Sequence, residues 1–163
     1  QISSVINSFK VIDNLRLSIM GRDGGYLNPL NNIYKNKDYS DEAYDLLKIV
    51  DLENKANNLV STLSHGDKRK LEISLALSMK PKLFLFDEPM AGLDKTSSQL
   101  MIDLFKKLKV KAPILLIEHD MESVFALADR ISVLDYGSVI ASGNEIEIKS
   151  NAKVQEVYLG DGN

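Results

Sequence analysis

Apolar residues at Val11, Ile12, Leu15 and Ile19 recur at helical spacing, and Gly21 ends the run. One apolar face with that period predicts a helix over 11–20. Residues 21–39 hold Gly24, Gly25, Pro29 and several Asn and Lys, which read as a loop or weakly ordered insert. Ser40, followed by Asp41 and Glu42, marks a helix start, and Ala43, Leu46, Leu47 and Val50 supply its apolar face. A further helix is predicted over 65–79, with Leu71, Leu75 and Met79 along one stripe.

The texture changes after Pro81. Leu83, Phe84, Leu85 and Phe86 form a wholly apolar run that ends in Asp87 and Glu88. That pattern predicts a parallel strand buried on both faces. A helical segment at 95–109 leads to a second apolar run at 114–117, ending in Glu118 and His119. A helix at 121–128, a strand at 131–135, a turn at Tyr136-Gly137 and a short strand at 138–142 follow. Strand–helix–strand alternation predicts an α/β fold with a parallel sheet and flanking helices. Residues 1–80 read as helical and 81–163 as the sheet part. The chain shows no internal repeat.

Composition narrows the function classes only a little. The 163 residues are 44% apolar and 26% charged, with net charge −3 and no cysteine. An acidic balance disfavours nonspecific nucleic-acid binding, so no nucleic-acid partner is expected. The lysines at 106, 107, 109 and 111 read as the solvated end of a helix. The lack of cysteine excludes disulfides and thiolate chemistry, and is compatible with a reducing compartment. No apolar stretch approaches the roughly 20 residues that a membrane-spanning helix needs.

Four short motifs carry chemistry. Asp87 and Glu88 place adjacent carboxylates at the C-terminal end of a buried strand, the edge where open α/β sheets bind ligands. One such carboxylate can hold Mg²⁺ and the next can orient or deprotonate water; the plain alternative is a strand ending in polar loop residues. Leu63-Ser64-His65-Gly66-Asp67-Lys68-Arg69 opens a helix. It reads both as a capping box, Ser64 with Asp67, and as an anion site of free N–H groups, a hydroxyl and a glycine. His119 follows the second apolar run on the same sheet edge, where an imidazole can meet a phosphate or a water. Ala91-Gly92-Leu93-Asp94 is either a loop with Asp94 capping the next helix or part of the same site.

In order and spacing these motifs resemble the signature motif, the Walker B strand with its catalytic glutamate, the D-loop and the switch histidine of ATP-binding-cassette (ABC) ATPases. The P-loop NTPase-type fold of that family then implies a helical signature subdomain over 1–80, with the Walker B, D-loop and switch-histidine part of the core over 81–163. Gln1 with Phe9, Val11 and Asn14-Leu15 resembles the Q-loop and the helix after it. Leu63-Ser64-His65-Gly66 with Leu71-Glu72-Ile73 looks most like importer ATPases for branched-chain amino acids, with urea-type importers close behind. Val133-Leu134-Asp135-Tyr136-Gly137 and Val157-Tyr158-Leu159-Gly160 agree.

The resemblance implies a subunit that binds and hydrolyses ATP with Mg²⁺, for import of branched-chain amino acids or a similar small polar solute. Glu88 would be the general base and His119 a γ-phosphate contact. Asp87 and Gln1 would serve Mg²⁺. Ser64, His65, Gly66, Asp67 and Asp94 would lie along the nucleotide. The implied partners are a second ATPase subunit, transmembrane permease subunits and, indirectly, an external solute-binding protein, at the cytoplasmic face of a prokaryotic cell membrane. His65 and Asp67 depart from the Gly and Gln that many members carry.

The chain contains no Gly-x-x-x-x-Gly-Lys-Ser/Thr, and it begins with Gln1 instead of Met. The expectation is a chain that starts downstream of the P-loop, inactive alone, with the P-loop strand belonging between the strands at 114–117 and 131–135. Such a chain is expected to leave strand edges and apolar faces uncovered and to aggregate readily. The alternatives are an ABC-type ATPase acting on DNA or ribosomes, and a noncatalytic remnant.

Overall fold

The first helix begins without a capping side chain. Lys10 stands at the N-cap of α1, Val11–Arg22, and offers no side-chain acceptor. The backbone supplies what the side chain lacks: Val11 N–H donates to Asn58 O and Ile12 N–H to Ala56 O, both at 3.0 Å. Free N–H groups at a helix start need such partners. Beside this seam, Val60 N–H donates to Phe9 O and Ser61 N–H to Asn7 O, again at 3.0 Å. The buried Asn14 side chain ties the segment ahead of α1 to the helix. Its Oδ1 accepts from Ile6 N–H at 2.8 Å, and its Nδ2 donates to the Ile6 and Lys10 carbonyls at 3.2 and 3.0 Å.

The computed structural model describes residues 5–25 and 37–159, so Gln1 and most of the loop expected at 21–39 lie outside the described residues. Two units divide the chain, one running to Leu116 and the other from Ile117.

In the first unit, α2 (Lys37–Ile49) and α3 (His65–Ser78) pack on α1. Helix α2 starts ahead of Ser40, contrary to the expectation that Ser40 caps it. The Ser40 hydroxyl accepts instead from Arg16 Nε of α1 at 3.1 Å. Val11, Leu15, Ile19, Ala43, Leu47, Val50 and Leu71 are fully buried where the three helices meet. The buried stripe of α3 is Leu71, Ile73 and Leu77, whereas Met79 of the expected stripe is exposed. The reason is that α3 ends at Ser78, so Met79 is its C-cap and lies past the packed face.

The C-terminal ends of α1 and α3 meet at Arg22. Its guanidinium grips both oxygens of Glu42 at 2.7 and 2.9 Å and donates to the Ser78 carbonyl at 2.7 Å. A bidentate pair of this kind fixes direction as well as charge. Hydrogen bonds to Glu42 and then Asp23 push the Arg22 pKa up, and Arg22 holds the Glu42 carboxyl below its ordinary range.

Strands β1 (Phe84–Asp87) and β2 (Ile114–Ile117) pair with each other, joined through α4 (Lys95–Lys109). A helical crossover of this length is what a parallel pair requires. Phe84 and Phe86 stack on one face of β1, and the edge of Phe86 meets Phe105 of α4 at 4.8 Å between ring centres. The opposite face corrects the expectation of strands buried on both sides. Leu85, Leu115 and Ile117 are 68%, 57% and 59% exposed. Phe105 of α4 covers Phe86 on one face, and a strand that alternates sides turns every second side chain the other way.

The second unit is built on a hairpin. Strands β3 (Ile131–Asp135) and β4 (Ser138–Gly143) pair antiparallel around Tyr136 and Gly137, whose φ angles of 44° and 77° suit a two-residue turn with both central residues left-handed. Among the described residues β2 pairs with β1 and β3 with β4, so β2 and β3 are not neighbours, as expected for strands with a further strand between them. Helices α5 (Met121–Leu127), α6 (Glu145–Lys149) and α7 (Ala152–Val154) precede and follow the hairpin. Ile131, Val133, Ile148 and Val154 form its core, with Val124 and Phe125 packed against them. Asn144 and Glu147 make a reciprocal capping box at the start of α6.

Candidate functional site

The turn before α3 carries the first group of expected residues. Ser64 is the N-cap, with its hydroxyl oxygen accepting from Asp67 N–H at 3.2 Å and its proton going to Asp67 Oδ2 at 2.8 Å. The N-cap half of the expected capping box is therefore present, whereas the Asp67 carboxylate takes the Ser64 hydroxyl proton. Asp67 also receives Lys55 Nζ at 2.6 Å. Burial alone would raise the Asp67 pKa, but hydrogen bonds from Lys55 and Ser64 outweigh it and hold the carboxyl below its usual value. The added negative charge thus has a cation beside it.

The connection between β1 and α4 carries the second group. Asp87 is the last residue of β1, and Glu88 follows with φ 45°. A left-handed backbone at a residue with a Cβ costs roughly 1–2 kcal/mol, and such strain concentrates at functional sites. Ala91 N–H closes the turn onto Glu88 O at 3.2 Å. Gly92 takes φ 74°, a conformation glycine adopts freely. Asp94 caps α4 by accepting from Ser97 N–H at 2.7 Å, and that bond holds its pKa down.

These two groups meet inside the first unit. A Cβ on Gly92 would stand 3.8 Å from His65 Nε2, and a Cβ on Gly66 would stand 3.8 Å from Ser97 Oγ. Arg69 reaches across: it pairs with Glu72 at 3.0 Å and donates a long hydrogen bond of 3.5 Å to the Asp87 carbonyl. Arg69 thus stands at the outer limit of hydrogen-bond distance from the backbone of Asp87. His119 belongs to the second unit, where its imidazole is exposed. Its backbone N–H donates to Glu118 Oε2 at 3.2 Å, and the Glu118 side chain is nearly fully buried. Asp120 then caps α5.

Among the described residues no three His, Asp or Glu side chains converge to hold a metal by themselves. The acid pair at the end of β1 nevertheless suits Mg²⁺, which takes one or two carboxylates and fills its remaining positions with water and substrate phosphates. A groove of about 480 Å³, mainly apolar, runs between α1 and α3, lined by Ile6, Leu17, Leu75, Ala76 and Met79. No described helix is long and apolar enough to cross a membrane.

Lys55 and Arg69 were not among the expected site residues. Arg69 stands inside the motif and could have been read as a helix-borne cation near the acid pair. Lys55 sits in a short turn, Glu53–Lys55, twelve positions before its partner, and no local pattern joins them.

Residues 4–91, more than half of the chain, match the family described as ABC transporter. The chain is 37% identical over 123 residues to the high-affinity branched-chain amino acid transport ATP-binding protein LivG of Salmonella typhimurium, covering 74% of this chain and 48% of that protein. It is 31% identical over 163 residues to a probable branched-chain amino acid transport ATP-binding protein of Archaeoglobus fulgidus, covering 98% of this chain and 63% of the relative. It thus spans about half to two-thirds of the length of these relatives. An ATP-binding cassette of an ABC transporter solved in its ADP conformation superposes with TM-score 0.77 at 28% identity, over 95% of this chain and 64% of that one. The family match over residues 4–91 and these likenesses agree with the order of the motifs: the chain belongs to the ATP-binding subunits of ABC transporters.

Proposed function

We propose that the whole protein binds and hydrolyses ATP to drive import of a small polar solute, with branched-chain amino acids the favoured class. The observation that carries this reading is the acid pair Asp87–Glu88 at the end of β1, with Glu88 at φ 45° and Asp94 capping the helix that follows. The names of the relatives support the solute class.

In this reading two ATPase subunits enclose nucleotide between them. Ser64 and Gly66 of one subunit approach the γ-phosphate with a hydroxyl and free N–H groups, while Asp87 and Glu88 face it from the other. Asp87 would hold Mg²⁺, which would supply charge stabilisation to the phosphates; Gln1, the other residue expected to serve it, lies outside the described residues. Glu88 takes a proton from the attacking water, and its strained backbone fixes where the carboxylate stands. His119 contacts the γ-phosphate from the start of the second unit. Asp94, committed to capping α4, holds the 91–94 loop in place for the facing subunit. His65 lies over Gly92 of that loop.

Helices α1 and α2 couple the site to permease subunits at the cytoplasmic face of the membrane, and the apolar groove between α1 and α3 offers the permease a seat. An external solute-binding protein acts through that permease.

The test is Glu88→Gln in the whole protein. ATP binding is expected to persist, and turnover to fall by about 10²–10⁴, the usual contribution of a positioned general base. Turnover within a few-fold of the native rate would remove Glu88 from its role.

A further inference from the structure

We infer that Lys55 sets the affinity of the Ser64 turn for a γ-phosphate, by neutralising Asp67 and loosening its hold on the Ser64 proton. The inference rests on the reading of Ser64 as a phosphate contact. It concerns a residue outside the motif, in the short turn Glu53–Lys55.

A hydroxyl has one proton to give. Here Ser64 gives it to Asp67 Oδ2 at 2.8 Å, while its oxygen accepts Asp67 N–H at 3.2 Å. In that arrangement Ser64 turns only lone pairs outward, and lone pairs repel a phosphate oxygen. To donate to phosphate the hydroxyl must leave Asp67. How readily it leaves depends on how strong an acceptor Asp67 is, because an unpaired carboxylate binds a proton donor more tightly than a paired one.

Lys55 supplies the competition. Its Nζ lies 2.6 Å from the same Oδ2 atom that receives Ser64. One oxygen thus serves two donors, and each weakens the other's bond. The ammonium also cancels a negative charge that would otherwise stand one helical turn from the phosphate contact. Both effects act in the same direction, toward phosphate binding. The Lys55 backbone is held in place, since the adjoining carbonyls of Ala56 and Asn58 cap α1. Its side chain is nearly half exposed, so the pair itself adds little to folding stability.

The experiment uses the whole protein in two settings. In the Glu88→Gln background, the MgATP concentration for half-maximal dimerisation is measured. In the native background, KM and kcat for MgATP are measured. Lys55→Met is expected to raise the dimerisation midpoint and KM roughly tenfold, the order set by removing a counter-charge near a phosphate at the protein surface. The same variant should keep kcat within about twofold, because the general base is untouched. Lys55→Arg should stay near native. Adding Asp67→Gln to Lys55→Met should return the midpoint to the native value, since the charge that needed neutralising is gone.

Unchanged midpoints in Lys55→Met, or a double variant as weak as Lys55→Met, would overturn the inference. So would a lower melting temperature in Lys55→Met that accounts for its whole loss of affinity. Ser64→Ala separates the two layers of argument. A Ser64→Ala midpoint equal to native removes the phosphate contact itself, and the inference with it. A weakened Ser64→Ala protein beside an unaffected Lys55→Met protein leaves that reading standing and sinks only the role of Lys55.

Discussion

The three-helix part and the first strand pair stand side by side in one unit, yet they finish folding to different degrees. Where α1, α2 and α3 meet, Leu15, Ile19, Leu47 and Leu71 reach zero exposure, and the helix ends are closed by Arg22 and by backbone carbonyls. In β1 and β2, half of the apolar side chains face outward. A helix satisfies its own backbone and needs neighbours on one face. A strand of a parallel sheet needs neighbours on both edges and layers on both faces. The same kind of apolar residue therefore contributes much in one region and little in the other.

That contrast is open to direct attack. Leu15→Ala or Leu47→Ala should cost about 3 kcal/mol in urea unfolding of the chain, the usual loss for emptying a packed leucine site. Leu115→Ala should cost under about 0.5 kcal/mol, as exposed positions do. Equal losses would mean that the strand face is covered in solution, for instance by self-association. Replacing Leu85 and Ile117 by Lys should then reduce that association, read by light scattering.

A smaller effect is expected at Arg22. Arg22→Met should cost about 1 kcal/mol once solvent screening of the partly exposed Glu42 is allowed for. The pH dependence has a definite sign. Because Arg22 lowers the Glu42 pKa, the contribution is fully present above the ordinary glutamate value and is lost as pH falls through the depressed one. The acid limb of stability should therefore be shallower in Arg22→Met than in the native chain. Of similar size is Gly137→Ala in the second unit, where φ 77° predicts a loss of about 1 kcal/mol by thermal melting.

What the sequence made legible follows the same divide. Val11, Leu15 and Ile19 announced α1 because helical periodicity is local, and Phe84 to Phe86 announced a strand for the same reason. The exposure of Leu85 was not legible, because burial of a strand depends on layers that its own residues do not encode. The position of Ser40 misled for a related reason: its hydroxyl answers to Arg16, 24 residues earlier, instead of to its own helix. Asn144 and Glu147 did carry a legible capping signal at the start of α6, just beyond the strand expected at 138–142. Within the candidate site, Ser64, Asp87 and Glu88 were visible as motif residues. Lys55 was not, since its tie to Asp67 exists only once the 53–58 turn has docked on α1.

That docking also has a mechanical side. The segment at residues 6–10 is clamped by Asn14, and the start of α1 is bolted to the carbonyls of 56 and 58, next door to Lys55. Hydrogen-bonded backbone resists shear far better than sliding side chains do. The backbone that carries Lys55 therefore shares its hydrogen bonds with the start of α1, so the place of that ammonium depends on residues that lie more than forty positions earlier in the chain.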